Sequence, residues 1–349
     1  MLRRLVVIAL VVVVTAALVL VAWPEVLGLQ RAPVAALAVS FRGASVVAAV
    51  VGAVVLTAVG FVLHRLRVLL GVLALLLVGY SVAVTGVLLV RGIGAPDVPV
   101  AQRDDLTVLS WNTLGDSVSA DVIAQAAAEN RADVVTLPET TRARAEQVAA
   151  LLAERGMRFR VFATSQQDGI PARSTSLLVT RSLGAYARVE DVGDTHSVPS
   201  LVVDPSGGQN APRIVAVHTV APYALDPVDW RADLAWAAAR CSRRNVLMAG
   251  DFNATLDHFS GLGTGAAATA KAGPGKAAPQ LGACHDGAAA TRNGSVGTWP
   301  TSLPSLVGTP IDHVLATPNW RFTGFRVLSD EDSAGSDHRP VLARLRPAG

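Results

Sequence analysis

The sequence predicts an α/β sandwich of two packed mixed β-sheets flanked by helices, preceded by three transmembrane helices. Three long apolar runs occupy much of the first 90 residues. After them, short β-branched runs first alternate with Ala-rich helical segments and then follow one another, which is typical of a sandwich rather than a doubly wound sheet. Acidic, amide and histidine residues fall at or just after the ends of several of these runs.

The apolar runs are residues 6–21, 45–63 and 68–90. The second and third reach the roughly 20 residues that cross a bilayer as a helix, and the first comes close. A cleaved signal peptide is the alternative for the first run, because Arg3 and Arg4 precede it, but no small-residue cleavage site follows before Trp23. We therefore predict a membrane anchor over residues 1–91, with transmembrane helices at about 5–23, 45–63 and 68–90.

Basic residues in the short loops indicate the orientation of this anchor. Two arginines precede the first run and two lie in the tight loop between the second and third, namely Arg3, Arg4, Arg65 and Arg67. Arg31 and Arg42, in the longer first loop, make the bias slight. With the N-terminus inside, three spans leave everything after Arg91 outside the cytoplasm. The Arg-rich, Lys-poor composition is that of a high-GC bacterium, so we predict a multi-pass protein of the bacterial cytoplasmic membrane.

Charge divides the chain into two parts. Residues 1–100 hold seven arginines and two acids, whereas the remainder holds 23 basic and 25 acidic residues. The basic isoelectric point therefore belongs to the anchor, and a globally basic nucleic-acid surface is not supported. Cys241 and Cys284 lack the paired spacing of a zinc site. A disulfide between them, if this part lies outside, and two buried thiols, if it lies inside, both remain open.

Residues 92–104 are rich in Pro, Gly and small residues, which indicates a linker to a domain of residues 105–349. Strands are predicted at 106–111, 133–137, 175–180, 201–203, 214–217, 245–249, 311–316, 322–328 and 340–345. Helices are predicted at 120–129, 142–155 and 227–240. Residues 261–279 hold both lysines and are predicted as a mobile loop, because they cannot bury enough apolar area to offset their ordering entropy.

Short motifs of acidic, amide and histidine residues run along this second part. They are Trp111-Asn112, Leu137-Pro138-Glu139, His218, Gly250-Asp251-Phe252-Asn253, Ile311-Asp312-His313 and Ser336-Asp337-His338. Most fall where a predicted strand ends, and a parallel or mixed sheet gathers such ends at one rim. Hydrolysis of a phosphate ester requires a neutralised phosphoryl group, an activated water and a stabilised leaving oxygen. Carboxylates, amides and imidazoles at one rim meet that requirement.

Taken singly, the first motifs allow other interpretations. Glu139 ends an apolar strand, where a carboxylate is costly unless it is exposed at a rim or bound to a cation. Asn112 could be a turn residue, and so could the pair Asp251 and Asn253 after Gly250.

The later motifs combine carboxylates with imidazoles. Asp337 and His338 pair an acid with a candidate base, and Asp312 could hold one nitrogen of an imidazole and fix its tautomer. His313 should face the opposite side of its strand. Trp299 could line the site or pack in the core. Surface or loop positions are expected for three further histidines, His196, His258 and His285.

Together, the motifs resemble those of the endonuclease/exonuclease/phosphatase superfamily, the DNase I-like fold of DNase I, apurinic endonucleases, neutral sphingomyelinases and inositol polyphosphate phosphatases. The resemblance covers about residues 104–347 and leaves the anchor out. It implies hydrolysis of phosphoric esters with Mg²⁺, or Mn²⁺ in its place, as cofactor. The metal ligands that it implies are Asn112, Glu139 and Asp337. The catalytic residues that it implies are His218, Asp251, Asn253, Asp312 and His338.

The resemblance also implies roles. Asp251 would activate or orient the water, and Asn253 would hold the scissile phosphate. His338, oriented by Asp312, is the favoured base, with Asp251 as its rival. His218 would contact the phosphate or protonate the leaving group.

Two departures from the family matter, one near the metal and one for the substrate. Pro138 stands where the family often has Gln before the metal-binding glutamate, so one polar contact near the metal is missing. The Arg- and Lys-rich loops that contact DNA in the family have no evident counterpart. We therefore predict a membrane-tethered phosphodiesterase acting on a lipid headgroup or a small phosphodiester. A tethered endonuclease acting on DNA or RNA is the alternative, and an inactive binding module is a hypothesis of another class. No obligate protein partner is implied.

Overall fold

A computed structural model of the chain describes residues 2–94, 98–164, 169–207, 211–222, 227–242, 244–264 and 280–348. The N-terminal helices are α1 (Leu2–Ala22), α2 (Pro33–Ser40), α3 (Arg42–Val62) and α4 (Arg67–Arg91). By length and composition, three helical segments could cross a membrane: Arg4–Ala22, Arg42–Val62 and Arg67–Arg91. They coincide with the three predicted spans, and α2 is a helix within what the sequence presents as a loop.

The elements that follow are β1 (Leu106–Ser110), α5 (Ala120–Glu129), β2 (Val134–Pro138), α6 (Arg142–Glu154), β3 (Phe159–Ala163), β4 (Thr175–Thr180), β5 (Tyr186–Arg188), β6 (Leu201–Pro205), β7 (Arg213–His218), α7 (Val228–Arg240), β8 (Val246–Asp251), β9 (His285–Asp286), α8 (Gly287–Ala290), β10 (Asp312–Ala316), β11 (Trp320–Val327) and β12 (Val341–Pro347). Every predicted strand and helix matches one of these within two residues at each end. The short elements β3, β5, β9 and α8 were not predicted. Of the predicted loop 261–279, residues 265–279 lie outside the described residues.

The strands form two mixed sheets that pack face to face. One has the order β11-β12-β1-β2-β4-β3 and the other β5-β6-β7-β8-β10-β9. Each contains one parallel pair at its centre, β1 with β2 and β7 with β8, and is otherwise antiparallel. Apolar residues of both inner faces form one buried core. This architecture confirms the predicted sandwich.

Helices cover the outer faces of both sheets. A cluster that includes residues of α5 and α6 packs on the first sheet. On the second sheet, α7 contributes Trp230, Leu234 and Ala237 to a cluster that also contains Ala36 of α2. The N-terminal helices therefore share a hydrophobic core with the sandwich and are not joined to it through the linker alone.

Two arginines fasten the N-terminal helices to the sandwich. Arg42 at the start of α3 donates to both oxygens of Asp257, over 3.0 and 2.7 Å. Arg91 at the end of α4 donates to the same two oxygens, over 2.7 Å each. The Asp257 side chain is fully buried, and although burial alone would raise its pKa, the two guanidinium groups hold that pKa well below its usual range. We call Arg42, Arg91 and Asp257 the clamp.

His258, next to the clamp, lies in a loop, one of the two positions expected for it, but its side chain is buried and is not at the surface. Its Nδ1 accepts from the backbone N–H of Thr255 over 2.8 Å, and its Nε2 donates to the carbonyl of Ala36 in α2 over 3.1 Å. Arg31 donates to the carbonyls of His258 and Ser260 over 2.6 Å. These contacts hold α2 on the sandwich.

The structure also shows the positions of the remaining histidines and of the two cysteines. His285 is half-buried and lies edge-on to Phe322, so it is not a surface residue, whereas His196 is exposed as expected. The two cysteines, Cys241 and Cys284, are both buried and form a disulfide, with Cα atoms 5.9 Å apart.

Candidate active site

The predicted site residues gather at the rim where the parallel strand pairs end. Four of them end or follow these strands: Asn112, Glu139, His218 and Asp251. Asp312 begins β10 and lies opposite Asp251, because β10 is antiparallel to β8. His338 precedes β12, which is antiparallel to β1. Both antiparallel strands therefore begin at the rim where the parallel strands end, and residues more than 200 positions apart meet there.

An imidazole–carboxylate pair occupies the centre of the rim. Nδ1 of His338 lies 2.9 Å from Oδ2 of Asp312, and its Nε2 lies 3.8 Å from Oδ2 of Asp251. All three side chains are almost fully buried. Asp312 thus fixes the ring of His338 so that Nε2 is directed toward Asp251.

Asn112 joins two carboxylates at the rim. Its Nδ2 donates to Oε1 of Glu139 over 3.0 Å and to Oδ2 of Asp251 over 3.1 Å. Its Oδ1 accepts from the N–H of Leu114, so the orientation of the amide is fixed from both sides. Asn253 lies beside Asp251, whose Oδ1 accepts from the Asn253 backbone N–H over 2.8 Å.

The backbone is strained at two of these residues. Glu139 has φ 55° and Asn253 has φ 45°, values that residues with a Cβ adopt rarely. Such conformations persist where the surrounding structure enforces them, and they concentrate at functional sites. Gly250, just before Asp251, has φ 150°, and a Cβ there would collide with the carbonyl of Val217 in the neighbouring strand.

Oxygen atoms that suit a hard divalent cation lie beside this network. Oδ2 of Asp337 accepts from Nε1 of Trp299 over 2.8 Å. Its Oδ1 is buried and has no hydrogen-bond partner among the described residues, and the same holds for Oδ1 of Asp312. The charge of Asp337 is close enough to raise the pKa of Glu139 further, beyond the rise that burial causes. Buried carboxylates with an unused oxygen fit a bound cation, which would supply the missing charge.

A second arrangement of ligands is also present. Asp251, Asp312 and His338 each offer one atom, and these atoms lie within 4.8 Å of one another, a spacing that could hold a metal ion. Because Nδ1 of His338 is engaged with Asp312, only Nε2 of that ring remains available.

Burial and neighbouring charges shift the pKa values of the central groups apart. Burial raises the pKa of Asp251 to about 7, with the charge of Asp312 adding to the rise and that of His338 opposing it. Burial alone would lower the pKa of His338, but Asp312 and Asp251 outweigh it and raise that pKa to about 10. Near neutral pH His338 is therefore protonated, and Asp251 is the group poised to exchange a proton.

His218 lies on the other side of Glu139 and stays neutral. Its Nε2 is 3.9 Å from Oε1 of Glu139. Burial, with the charge of His338, lowers its pKa to about 3. Its Nδ1 is buried without a hydrogen-bond partner among the described residues. A neutral imidazole can donate a hydrogen bond to a bound group but is a poor source of a full proton.

The neighbour of Asp312 points elsewhere. His313 faces the opposite side of β10, as strand alternation predicts, and its ring nitrogens lie 2.8 Å from Asp286 and from the carbonyl of Ala254. Both of its nitrogens are engaged within the fold, so His313 is outside the site.

A cleft of about 720 Å³ lies over the rim. Glu139, His218, Asp251, Asn253 and His338 line its floor. Its walls include residues that sequence reasoning did not select: Leu37 and Phe41 from α2 and its end, Trp230 from α7, and Arg173. For α2, the available signal was Pro33 opening a short apolar stretch just before the second span, since proline is favoured in the first turn of a helix.

This combination of a two-sheet sandwich with acids, amides and imidazoles at one rim defines a hydrolase of phosphoester bonds. The endonuclease/exonuclease/phosphatase family model matches residues 109–338. The chain belongs to the endonuclease/exonuclease/phosphatase family, whose members hydrolyse phosphoester bonds and generally depend on divalent metals.

Solved structures with the same fold are distant in sequence. An endonuclease/exonuclease/phosphatase from Beutenbergia cavernae is 19% identical, with 71% of this chain and 72% of that chain covered and a TM-score of 0.49. A Bacteroides vulgatus protein of the same description is 16% identical, with 70% of this chain and 99% of that chain covered and a TM-score of 0.49. D. rerio TDP2 complexed with a single-strand DNA product is 15% identical, with 69% of this chain and 99% of that chain covered and a TM-score of 0.50. No significant match is found among curated proteins.

Proposed function

We propose that the protein is a membrane-tethered, Mg²⁺-dependent phosphodiesterase whose site lies outside the cytoplasm. The observation that carries this proposal is the convergence of Glu139, Asn112 and Asp337 beside the Asp251–His338–Asp312 group at one rim, where Glu139, Asp251 and His338 line the cleft. Mn²⁺ would serve in place of Mg²⁺, because both cations prefer oxygen ligands.

Glu139, Asn112 and Asp337 are the residues to which we assign the cation. When bound, the cation neutralises the phosphoryl oxygens and makes a coordinated water more acidic. Glu139 is the principal ligand, since it reaches the cleft and its burial disfavours an uncompensated charge. The unused oxygen of Asp337 completes the set.

Asp251 and His338 handle the protons and the phosphate charge. The oxygen of water forms a bond to phosphorus, the bond from phosphorus to the leaving oxygen breaks, and an alcohol and a phosphomonoester result. We propose that Asp251 accepts the proton that the attacking water loses. The leaving alkoxide takes up a proton from solvent and departs as the alcohol. His338, held by Asp312, keeps its proton and faces the phosphoryl oxygens. This reverses the preference of the sequence for His338 as base.

Asn253 and His218 complete the phosphate contacts in this proposal. Both line the cleft beside Asp251. The Nδ2 of Asn253 donates to the carbonyl of Thr219 over 2.9 Å, which fixes the orientation of the amide. His218, as a neutral ring, donates a hydrogen bond to phosphate rather than a proton to the leaving group.

The charge of the cleft favours a small or membrane-borne phosphodiester over polymeric nucleic acid. Among the described residues that line it, Arg173 is the one lysine or arginine, whereas Glu139, Asp229 and Asp251 are acidic. Proteins that hold nucleic acid do so mainly by neutralising several phosphates with basic side chains. D. rerio TDP2 has been solved with a DNA product, so nucleic acid is the alternative that the test below addresses.

The test uses the full-length protein in detergent micelles with bis(4-nitrophenyl) phosphate. We expect release of 4-nitrophenolate that requires Mg²⁺ or Mn²⁺, stops with a chelator, and falls about 100-fold or more in His338→Ala, the scale of losing one donor that stabilises the charge of the transition state. A folded protein that releases none under any metal condition would be a binding module instead. Activity on DNA that is strong at low salt and collapses as salt rises, with lipid phosphodiesters untouched, would identify a tethered nuclease.

A further inference from the structure

We propose that α2 and the residue after it form a binding site for a hydrocarbon chain next to the scissile phosphate, so that the substrate is an amphipathic phosphodiester taken from the bilayer surface. This inference rests on the proposed function, because it names the substrate class of the same cleft. Leu37 and Phe41 line the same cleft as Asp251 and His338.

An aromatic pair links this wall to the acidic rim. The rings of Phe41 and Trp299 meet edge to face with centroids 6.1 Å apart. Nε1 of Trp299 donates to Asp337 over 2.8 Å, so one side of the pair lies beside the group assigned to the cation. Both rings are only partly buried and line the cleft. A substrate with its phosphate at the rim would place the neighbouring alkyl segment against these rings.

The same wall lies where a bilayer surface would be. Phe41 directly precedes Arg42, the first residue of a helix long and apolar enough to cross a membrane. The segment between α1 and α2 and the start of α2 expose apolar side chains, with Val26 61%, Leu27 68% and Val34 76% exposed.

A loop of the sandwich next to the start of α3 also exposes apolar side chains. Leu306 is 46% exposed, and its carbonyl lies so close to Gly43 of α3 that a Cβ at Gly43 would collide with it. Leu303 in the same loop is also exposed. Exposed apolar groups on α2, on the segment before it and in this loop, next to the start of a spanning helix, fit contact with acyl chains and headgroups rather than with water.

The wall is fixed and is not a mobile lid. The clamp anchors the start of α3, and His258 hydrogen-bonds the carbonyl of Ala36 in the middle of α2. The distance from the bilayer surface to Asp251 is therefore set by the fold. A fixed apolar wall selects the part of the substrate next to the phosphate, because displaced water and buried area both favour an alkyl group there.

The experiment compares two chromogenic diesters that differ only in the second alcohol, 4-nitrophenyl methyl phosphate and 4-nitrophenyl dodecyl phosphate. The full-length protein is assayed at one fixed micelle concentration, so partition of the dodecyl ester into micelles is the same for every variant. We expect the wild type to have a kcat/KM at least about tenfold higher for the dodecyl ester. Leu37→Ala and Phe41→Ala should each lower the dodecyl-to-methyl ratio about tenfold, the scale of one lost apolar contact.

Val34→Ala is the matched control, because Val34 lies on the same helix, is exposed and does not line the cleft. It should leave the ratio unchanged. Equal losses on both esters in Leu37→Ala and Phe41→Ala would mean that the wall is structural, and would overturn the inference. So would a ratio near one in the wild type, or faster cleavage of single-stranded DNA than of the dodecyl ester. In each of these cases metal-dependent cleavage of the methyl ester would leave the proposed phosphodiesterase standing, whereas no cleavage of any diester would reject it.

Discussion

One amide, that of Asn112, connects the two sheets at the chemical centre of the molecule. It lies at the end of β1 in the first sheet and donates both to Glu139 of that sheet and to Asp251 of the second. The proposed metal ligand and the proposed base are therefore held at a fixed separation by a group that carries no charge. Because these groups are held separately, metal binding and stabilisation of the phosphate charge can be tested by separate mutations.

Glu139→Gln should weaken Mg²⁺ binding and lower turnover by orders of magnitude, because it removes the charge of the principal ligand while keeping its shape. His338→Ala should leave metal affinity nearly intact and lower the rate by roughly 100-fold or more, because it removes the protonated imidazole that faces the phosphoryl oxygens, and this is the scale of losing one donor that stabilises the charge of the transition state. Isothermal titration of Mg²⁺ into both variants measures the first effect. Unchanged affinity in Glu139→Gln, or equal loss in both, would show that these roles are wrongly assigned.

His258 should make stability depend on pH. Burial lowers its pKa from 6.5 to about 4, so below pH 6.5 the unfolded chain binds more protons than the folded one. Stability is then unaffected above that pH and falls as pH drops from 6.5 toward 4, by roughly 2 kcal/mol at pH 5. The measurement is unfolding of wild type and His258→Gln between pH 7.5 and 5. Glutamine can also accept and donate a hydrogen bond, but it does not titrate, so equal slopes would refute this account.

Individual residues differ in how far the sequence could assign them. Asp251, Asp312 and His338 could be selected because each falls at a strand end, and the sheet order brings strand ends together. His258 could not be assigned correctly, because its partners are the backbone of Thr255 and of Ala36, 222 residues away. Its burial depends on helix docking, which leaves no local pattern.

Among the contacts between elements, the clamp should make the largest ionic contribution to the free energy of unfolding. Asp257→Asn would remove the carboxylate that pairs with two nearly buried guanidinium groups. Removing one partner of a buried ion pair costs roughly 3–5 kcal/mol. We expect the free energy of unfolding of the full-length protein in detergent to fall by that order, with a clearly lower thermal midpoint.

Glu146→Gln is the control for this experiment. It removes an exposed ion pair with Arg142 one helical turn away, in which both side chains are more than half exposed. Such pairs contribute at most about 0.5 kcal/mol. If the midpoint shifts as little in Asp257→Asn as in Glu146→Gln, the clamp does not hold the helices to the sandwich.

The buried central strands were predictable from the sequence. The elements that were not predicted are the edge strands β3, β5 and β9 and the short helices α2 and α8. Central strands such as β1, β2 and β8 are buried on both faces, so they appear in the sequence as continuous apolar runs. The edge strand β3 reads Phe-Arg-Val-Phe-Ala with an exposed arginine, and β9 has only two residues. The helix α2, eight residues long, is too short to be stable alone and depends on packing against the sandwich.

At the scale of the whole molecule, the two ends of the helical bundle differ in charge. Arg31, Arg42 and Arg91, at the end next to the sandwich, are engaged with Asp257 or backbone carbonyls. Arg65 and Arg67, at the far end, are exposed. The exposed arginines therefore lie at the far end. This favours a cytoplasmic position for that end more strongly than the number of basic residues in each loop did.

A reporter fused after Leu345 should accordingly behave as extracytoplasmic, and one fused at Arg65 as cytoplasmic. Alkaline phosphatase, which is active only outside the cytoplasm, and a cytoplasmic fluorescent protein make a matched pair of reporters. The reverse pattern would place the site inside the cell and contradict the proposed localisation. A sandwich on the outer side is also consistent with the bond between Cys241 and Cys284, since disulfides persist in oxidising compartments.

The clamp has a consequence for proteolytic release of the sandwich from the membrane. A protease that cut the chain within residues 98–104 would not shed a working soluble enzyme. The released fragment would lack the guanidinium groups that neutralise Asp257 and the helix that walls the cleft. Because these contacts are non-covalent, the cut alone would leave them in place; catalysis would end when the sandwich separates from the membrane helices, and that separation would free no active hydrolase into the surroundings.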